Sequence, residues 1–209
     1  METLNTSVFL ILCIFRGTTI SQMPHTGDCP PRTALHTIDA RKLSGGVWYE
    51  NQRTASLVEW PYKCITFKIQ PFYEHKSTLT VTSIHRLDGG LVKYSVSLKS
   101  LDPEGRNGKM TAKVPLVEGK ISRIYTGRQM PIQILAMDNS TTSWAIVWSC
   151  RAFPRTRLHT ESVWVLTRER ELDETVSREI QESLTALNLE HLVMRDSMQN
   201  ECSLEDEIK

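Results

Sequence analysis

Apolar and polar residues alternate with a period of two through much of the chain between Val47 and Arg168. Ile65, Phe67 and Ile69 interleave with Thr66, Lys68 and Gln70, and Leu79 and Val81 with Thr78, Thr80 and Thr82. Val92, Tyr94, Val96 and Leu98 interleave with Lys93, Ser95, Ser97 and Lys99. Alternation puts successive side chains on opposite faces, so each segment predicts a half-buried strand. Residues 47–54, 110–117, 132–137, 143–152 and 162–167 extend the series to eight strands. Leu87-Asp88-Gly89-Gly90 has hairpin chemistry, and Asp102-Pro103-Glu104-Gly105 is a second turn signal.

Consecutive strands at this spacing predict an all-β fold, an antiparallel sandwich or barrel, and closure into an eight-stranded up-and-down barrel would remove exposed edges. The period changes after Arg168. Val176, Ile180, Leu184 and Leu187 recur at helical spacing behind Asp173, a suitable N-cap, and Glu174, which favours the helix N-terminus. This amphipathic C-terminal helix must dock outside the barrel. Residues 144–148 and 163–166 are apolar on both faces and offer the surface for it.

The N-terminus reads differently. Residues 8–15, VFLILCIF, form an apolar run too short to cross a bilayer, which takes about 20 residues. Its length and position fit the core of a signal peptide cut near Ser21, although the preceding residues carry Glu2 and no base. The expected organisation is a signal peptide over 1–21, one domain over 22–202 and a disordered acidic tail over 203–209. The mature chain would be secreted, with no transmembrane segment. Four cysteines remain after the signal, Cys29, Cys64, Cys150 and Cys202, an even set suited to disulfides in an oxidising compartment. Four cysteines allow three pairings, and their positions do not choose among them.

The formal net charge of +1 is unchanged by removing residues 1–21, which hold one acid, Glu2, and one base, Arg16. Dispersed, balanced charge gives no footprint for nucleic acid and no polybasic patch for anionic membrane. There is no nucleophile elbow, no phosphate-cradling glycine loop and no CxxC or clustered His/Cys spacing for a metal. The six histidines are scattered singly and read as solvated or capped. No cofactor is expected, and a binding protein rather than an enzyme is. Asn139-Ser140-Thr141 is an acceptor for N-glycosylation in an expected loop.

Ile65, Phe67, Ile69, Ile132, Ile134, Trp164 and Leu166 are the inward candidates. An eight-stranded barrel is just wide enough to be filled by side chains or to hold one small ligand. Near the start of the first strand, Gly46-Val47-Trp48 joins a residue that permits a tight turn to one that buries a large ring.

In order and spacing these features resemble the lipocalins, in the branch of apolipoprotein D and the arthropod bilin-binding, colouration-type proteins. The likeness rests on Gly46-x-Trp48, GDCPP at 27–31, AIVWSC at 145–150, VWVLTR at 163–168 and LDETV at 172–176, and covers 27–202. The family's Thr-Asp-Tyr loop motif stands here as Met137-Asp138-Asn139, keeping only the acid. The resemblance implies a calyx closed at one end, with Trp48 as its floor and Arg168 over the indole. It implies the pairings Cys29–Cys150 and Cys64–Cys202. By position Trp164 matches the family's pocket tryptophan, and Ile69 a place that carries a pocket aromatic in apolipoprotein D.

The function so implied is secretion and transport of a small hydrophobic ligand: a fatty acid, sterol, retinoid, or bilin or carotenoid pigment. The ligand would lie against the inward residues named above and Trp60. A second reading keeps a filled barrel as a scaffold whose mouth loops, including Glu59, Trp60 and Tyr62, bind a cell-surface receptor or other protein. Trp60 then belongs to the contact surface instead of covering a ligand.

Overall fold

The alternating segments pair in sequence order. The computed structural model describes residues 24–56, 59–102, 104, 106–114, 129–138, 142–153 and 155–202. The expected signal peptide, the tail over 203–209, Asn139 and residues 115–117 of the fifth expected strand lie outside them. In chain order the elements are β1 (His25–Thr26), α1 (Ala40–Leu43), β2 (Trp48–Thr54), β3 (Tyr62–Ile69), β4 (Lys76–His85) and β5 (Leu91–Ser100). They continue with β6 (Lys109–Lys113), β7 (Gln129–Met137), β8 (Trp144–Phe153), β9 (Leu158–Thr167), α2 (Glu174–Ala186) and β10 (Met194–Asp196).

Strands β2 to β9 form an antiparallel meander that closes through a β2–β9 ladder, with Tyr49 opposite Thr167 and Arg53 opposite Trp164. The eight expected strands are therefore the barrel. Two further strands were not expected, and each covers an edge that the barrel leaves open. β1 pairs His25 and Thr26 with His159 and Leu158, beyond the stretch of β9 that β2 reaches. β2 pairs with β3 only at Trp48 and Tyr49, so β10 takes the rest of its edge, Met194 to Asp196 against Thr54 to Gln52. Below β10 the Gln199 amide donates to the carbonyls of both Glu50 and Ile65, stitching the gap. Cys64–Cys202 holds this C-terminal segment to β3, and Cys29–Cys150 holds the N-terminal segment to β8. Both pairings are those of the resemblance.

One end of the barrel is closed by chain crossing it. Leu35 N–H donates to the Ile134 carbonyl, and Gly108 N–H donates to the Leu35 carbonyl. A side chain at Gly108 would meet the Ile134 carbonyl at 2.6 Å, so only glycine allows this crossing. Leu35, Ile38 and Leu43 then pack beneath Trp48, which is buried and donates its indole N–H to the Leu43 carbonyl at 2.9 Å. Gly46 turns the chain into β2 with φ +80°, a conformation costly for any residue with a Cβ.

Helix α2 starts where expected, with the Asp173 carboxylate accepting from Val176 N–H. Ile180 and Leu184 dock on the outward faces of Trp144, Ile146, Trp148, Val163 and Val165. These strands are apolar on both faces because one face meets the helix and the other the lumen. No helix among the described residues is long and apolar enough to cross a membrane.

Candidate functional site

Alternate residues of β3 to β9 turn inward and leave a cavity of about 150 Å³ above the Trp48 floor. Its wall is almost wholly apolar. Phe67, Ile69, Ile132, Ile134, Trp164 and Leu166, six of the eight residues expected at the ligand, line it. Leu79, Val81, Val96, Leu98 and Met130 complete much of the rest. The barrel is thus neither a wide cup nor a solid core: its inward clusters fill much of the interior and leave a small hollow.

Two expected residues do not reach that hollow. Ile65 is buried in solid packing with Val81, Val96 and Ala112. Trp60 stands 62% exposed in the β2–β3 connection and is not among the residues that line the hollow. The placement of Trp60 has a local cause. Trp60 N–H donates to the Ser56 carbonyl, and this turn directs Glu59, the preceding residue, onto the cavity instead.

Glu59, expected only in a mouth loop, and Tyr94, expected only as a strand residue, are the polar feature of the wall. Glu59 Oε1 accepts the Trp164 indole N–H at 3.1 Å, and its Oε2 lies 3.7 Å from Arg53 Nε. Arg53 also donates to Glu50, to Ser197 Oγ at 3.1 Å and to the Glu59 carbonyl at 3.1 Å. Glu50 is completely buried, and Ser197 donates to its Oε1 at 2.6 Å while Oε2 has no partner. Burial first, then the charge of Glu59, raises the Glu50 pKa to about 7 against the pull of Arg53. Burial, Glu59 and Glu50 together push the Tyr94 hydroxyl well above its ordinary range, so the phenol keeps its proton.

A second buried acid lies on the outside of the wall. Glu161 accepts from Trp148 Nε1 at 2.8 Å, from Arg32 and from His191 Nε2 at 3.2 Å. His25 stacks on His159 and meets His191 edge-on, so three histidines that read as scattered gather beside Glu161. Among the described residues, no group of three or more His, Cys, Asp or Glu is arranged to hold a metal ion.

Solved structures share this fold. Insecticyanin from the tobacco hornworm Manduca sexta superposes with a TM-score of 0.70 at 16% identity, over 86% of this chain and 90% of its own. The fold is that of the lipocalins. Lobster apocrustacyanin A1 matches this lipocalin fold with a TM-score of 0.61 at 20% identity, over 87% of this chain and 94% of its own. A protein described as biogenic amine-binding matches with a TM-score of 0.57 at 18% identity, over 79% of this chain and 85% of its own. Neither a family model nor a curated protein sequence matches the chain.

Proposed function

We propose that this protein is an extracellular carrier of the apolipoprotein D and bilin-binding kind, holding one small, largely apolar molecule in its calyx. The observation that carries the reading is the roughly 150 Å³ hollow, walled by inward apolar side chains and floored by Trp48. A dry cavity of about this size lined by aliphatic and aromatic groups takes up benzene-sized molecules. Binding draws on apolar area removed from water, at roughly 25 cal/mol per Å², less the cost of ordering the ligand. A sterol or tetrapyrrole needs more room than this and enters only if wall side chains move. The fold neighbour named for binding biogenic amines supports small ligands in such a barrel. Two disulfides of long sequence separation fit an oxidising, extracellular setting, as does the signal peptide expected over 1–21.

Exposed apolar residues at the mouth support the second reading, a contact surface for another protein. Trp60 is joined there by Leu87, 84% exposed, since Arg86 N–H donates to the Pro61 carbonyl and brings the two connections together. One experiment separates the readings. Protein purified from its native source is extracted with organic solvent and analysed by mass spectrometry, and the stripped protein is titrated with 2-phenylethanol. A stoichiometric small molecule and saturable uptake support carriage. An empty extract with no uptake overturns it in favour of the scaffold.

A further inference from the structure

The carrier reading leaves open which small molecules the calyx prefers, and the charge at its wall bears on this. Among the described lining residues Glu59 alone is charged. Its carboxylate is held in place by the Trp164 indole, itself part of the wall. Two carboxylates, Glu50 and Glu59, face the guanidinium of Arg53, which donates to Glu50, Ser197 and the Glu59 carbonyl and has its Nε 3.7 Å from the Glu59 carboxylate. Glu50 keeps one buried oxygen with no partner at all. The next cation, Arg86, donates its Nε to the Tyr62 carbonyl and does not line the cavity. Glu59 is therefore the one charge that the described wall presents to the apolar hollow.

We propose that the calyx selects molecules with a cationic nitrogen on a compact apolar body, the nitrogen meeting Glu59 between Trp164 and Tyr94. An ammonium or similar donor suits this place threefold. It forms a charge-assisted hydrogen bond with the free lone pairs of Glu59. The faces of Trp164 and Tyr94 attract a cation. Tyr94, holding its proton, can donate to a hydroxyl on the same ligand but offers no charge of its own. A carboxylate ligand meets the opposite situation: it finds no free cationic donor on the wall and is repelled by Glu59. This disfavours a fatty acid lying head-inward.

The proposal rests on the calyx being a ligand site, and the test keeps the two apart. Three probes of one shape, 2-phenylethylamine, 2-phenylethanol and phenylacetate, are titrated into the folded protein by calorimetry, with Trp fluorescence as a second readout. The amine is expected to bind about tenfold or more tighter than the alcohol, the size of one charge-assisted hydrogen bond, and phenylacetate weakest. In Glu59→Gln the ratio of amine to alcohol affinity falls toward one. Equal binding of amine and alcohol overturns the amine preference but leaves the calyx reading intact. A preference that persists in Glu59→Gln, or that vanishes only in Glu50→Gln, overturns the role of Glu59. Failure of all three probes to bind overturns both readings, and the comparison within the unaltered protein decides even if a variant does not fold.

Discussion

The Arg168 guanidinium lies 3.7 Å from the centre of the Trp48 ring. The same group donates to the carbonyls of Val47 and Lys42, so one side chain ties the end of β9 to the floor and to the chain beneath it. A Cβ at Gly46 would stand 3.4 Å from an Arg168 nitrogen, an ordinary contact, so the positive φ rather than lack of space calls for glycine there. Replacing the arginine removes a cation–π contact and two hydrogen bonds. Arg168→Ala is expected to lower stability by about 2–3 kcal/mol, read as a shift of the urea midpoint. Arg168→Lys should recover the charge but only part of the loss, because an ammonium cannot span both carbonyls and the ring. An Arg168→Ala midpoint equal to that of the parent would show that the floor holds without it.

Two buried acids give stability opposite dependences on pH. The Glu50 pKa is raised from 4.5 to about 7 by burial and by Glu59, so the folded state binds a proton there that the unfolded chain has released. Its contribution is present below about pH 4.5 and is lost as pH rises to about 7. Glu161 goes the other way. Burial alone would raise it, but the Trp148 and His191 hydrogen bonds and Arg32 outweigh burial and hold it below its ordinary value. Its contribution is present above the ordinary carboxylate range and is lost as pH falls through the lowered value. Urea midpoints of Glu50→Gln should therefore fall less than those of the parent between pH 5 and pH 8. Glu161→Gln should flatten the acid limb instead. Parallel curves for Glu50→Gln and the parent would refute the assignment.

The barrel could be read from the sequence because its walls separate two environments. A lumen on one side and solvent on the other impose a period of two on β4 and β5, and the helical stripe of α2 follows from having one face to dock. Short elements leave no such record. β1, β10 and the four-residue α1 are placed by edges and floor contacts made elsewhere in the chain. The candidate site divides along the same line. Trp164, Leu166, Phe67 and Ile69 announce themselves as apolar residues of inward parity, whereas Glu50, Arg53 and Glu59 form no motif. They meet because a turn closed by the Trp60 N–H to Ser56 carbonyl bond carries Glu59 to Arg53, a placement no local sequence signal records. Trp60 was expected in a mouth loop, over a ligand or in a contact surface, and it stands exposed there. The histidines near Glu161 are likewise gathered by β1 and the chain after α2, far apart in sequence.

Cys64–Cys202 spans 138 residues and fastens the segment that fills the gap between β2 and β3. Closing so long a loop restricts the unfolded chain by about 5 kcal/mol in the entropy model, with measured losses commonly 2–5 kcal/mol. The double variant Cys64→Ser, Cys202→Ser should lose stability in that range. Its first opening should be local, because Met198 and Gln199 then hold to β3 and Glu50 by hydrogen bonds alone. Hydrogen exchange at the backbone amide of position 64, which in the parent donates to the Met198 carbonyl, should rise more than exchange in β8. A uniform rise across the barrel would mean that the tail is not a separate unit.

Trp164 joins the apolar wall to its one charged member, and two substitutions pull those roles apart. Trp164→Ala removes most of a ring from the lumen and should weaken binding of neutral 2-phenylethanol by about tenfold, a loss of roughly 1–2 kcal/mol of apolar contact. The residue borders a hollow instead of a close-packed core, so the melting temperature should move by only a few degrees. Trp164→Phe keeps an aromatic surface but cannot donate to Glu59. It should bind the alcohol within about threefold of the parent, while freeing the carboxylate to turn toward solvent and loosening any preference for a cation. Undiminished alcohol binding in a folded Trp164→Ala protein would place the ligand elsewhere in the barrel, away from β9.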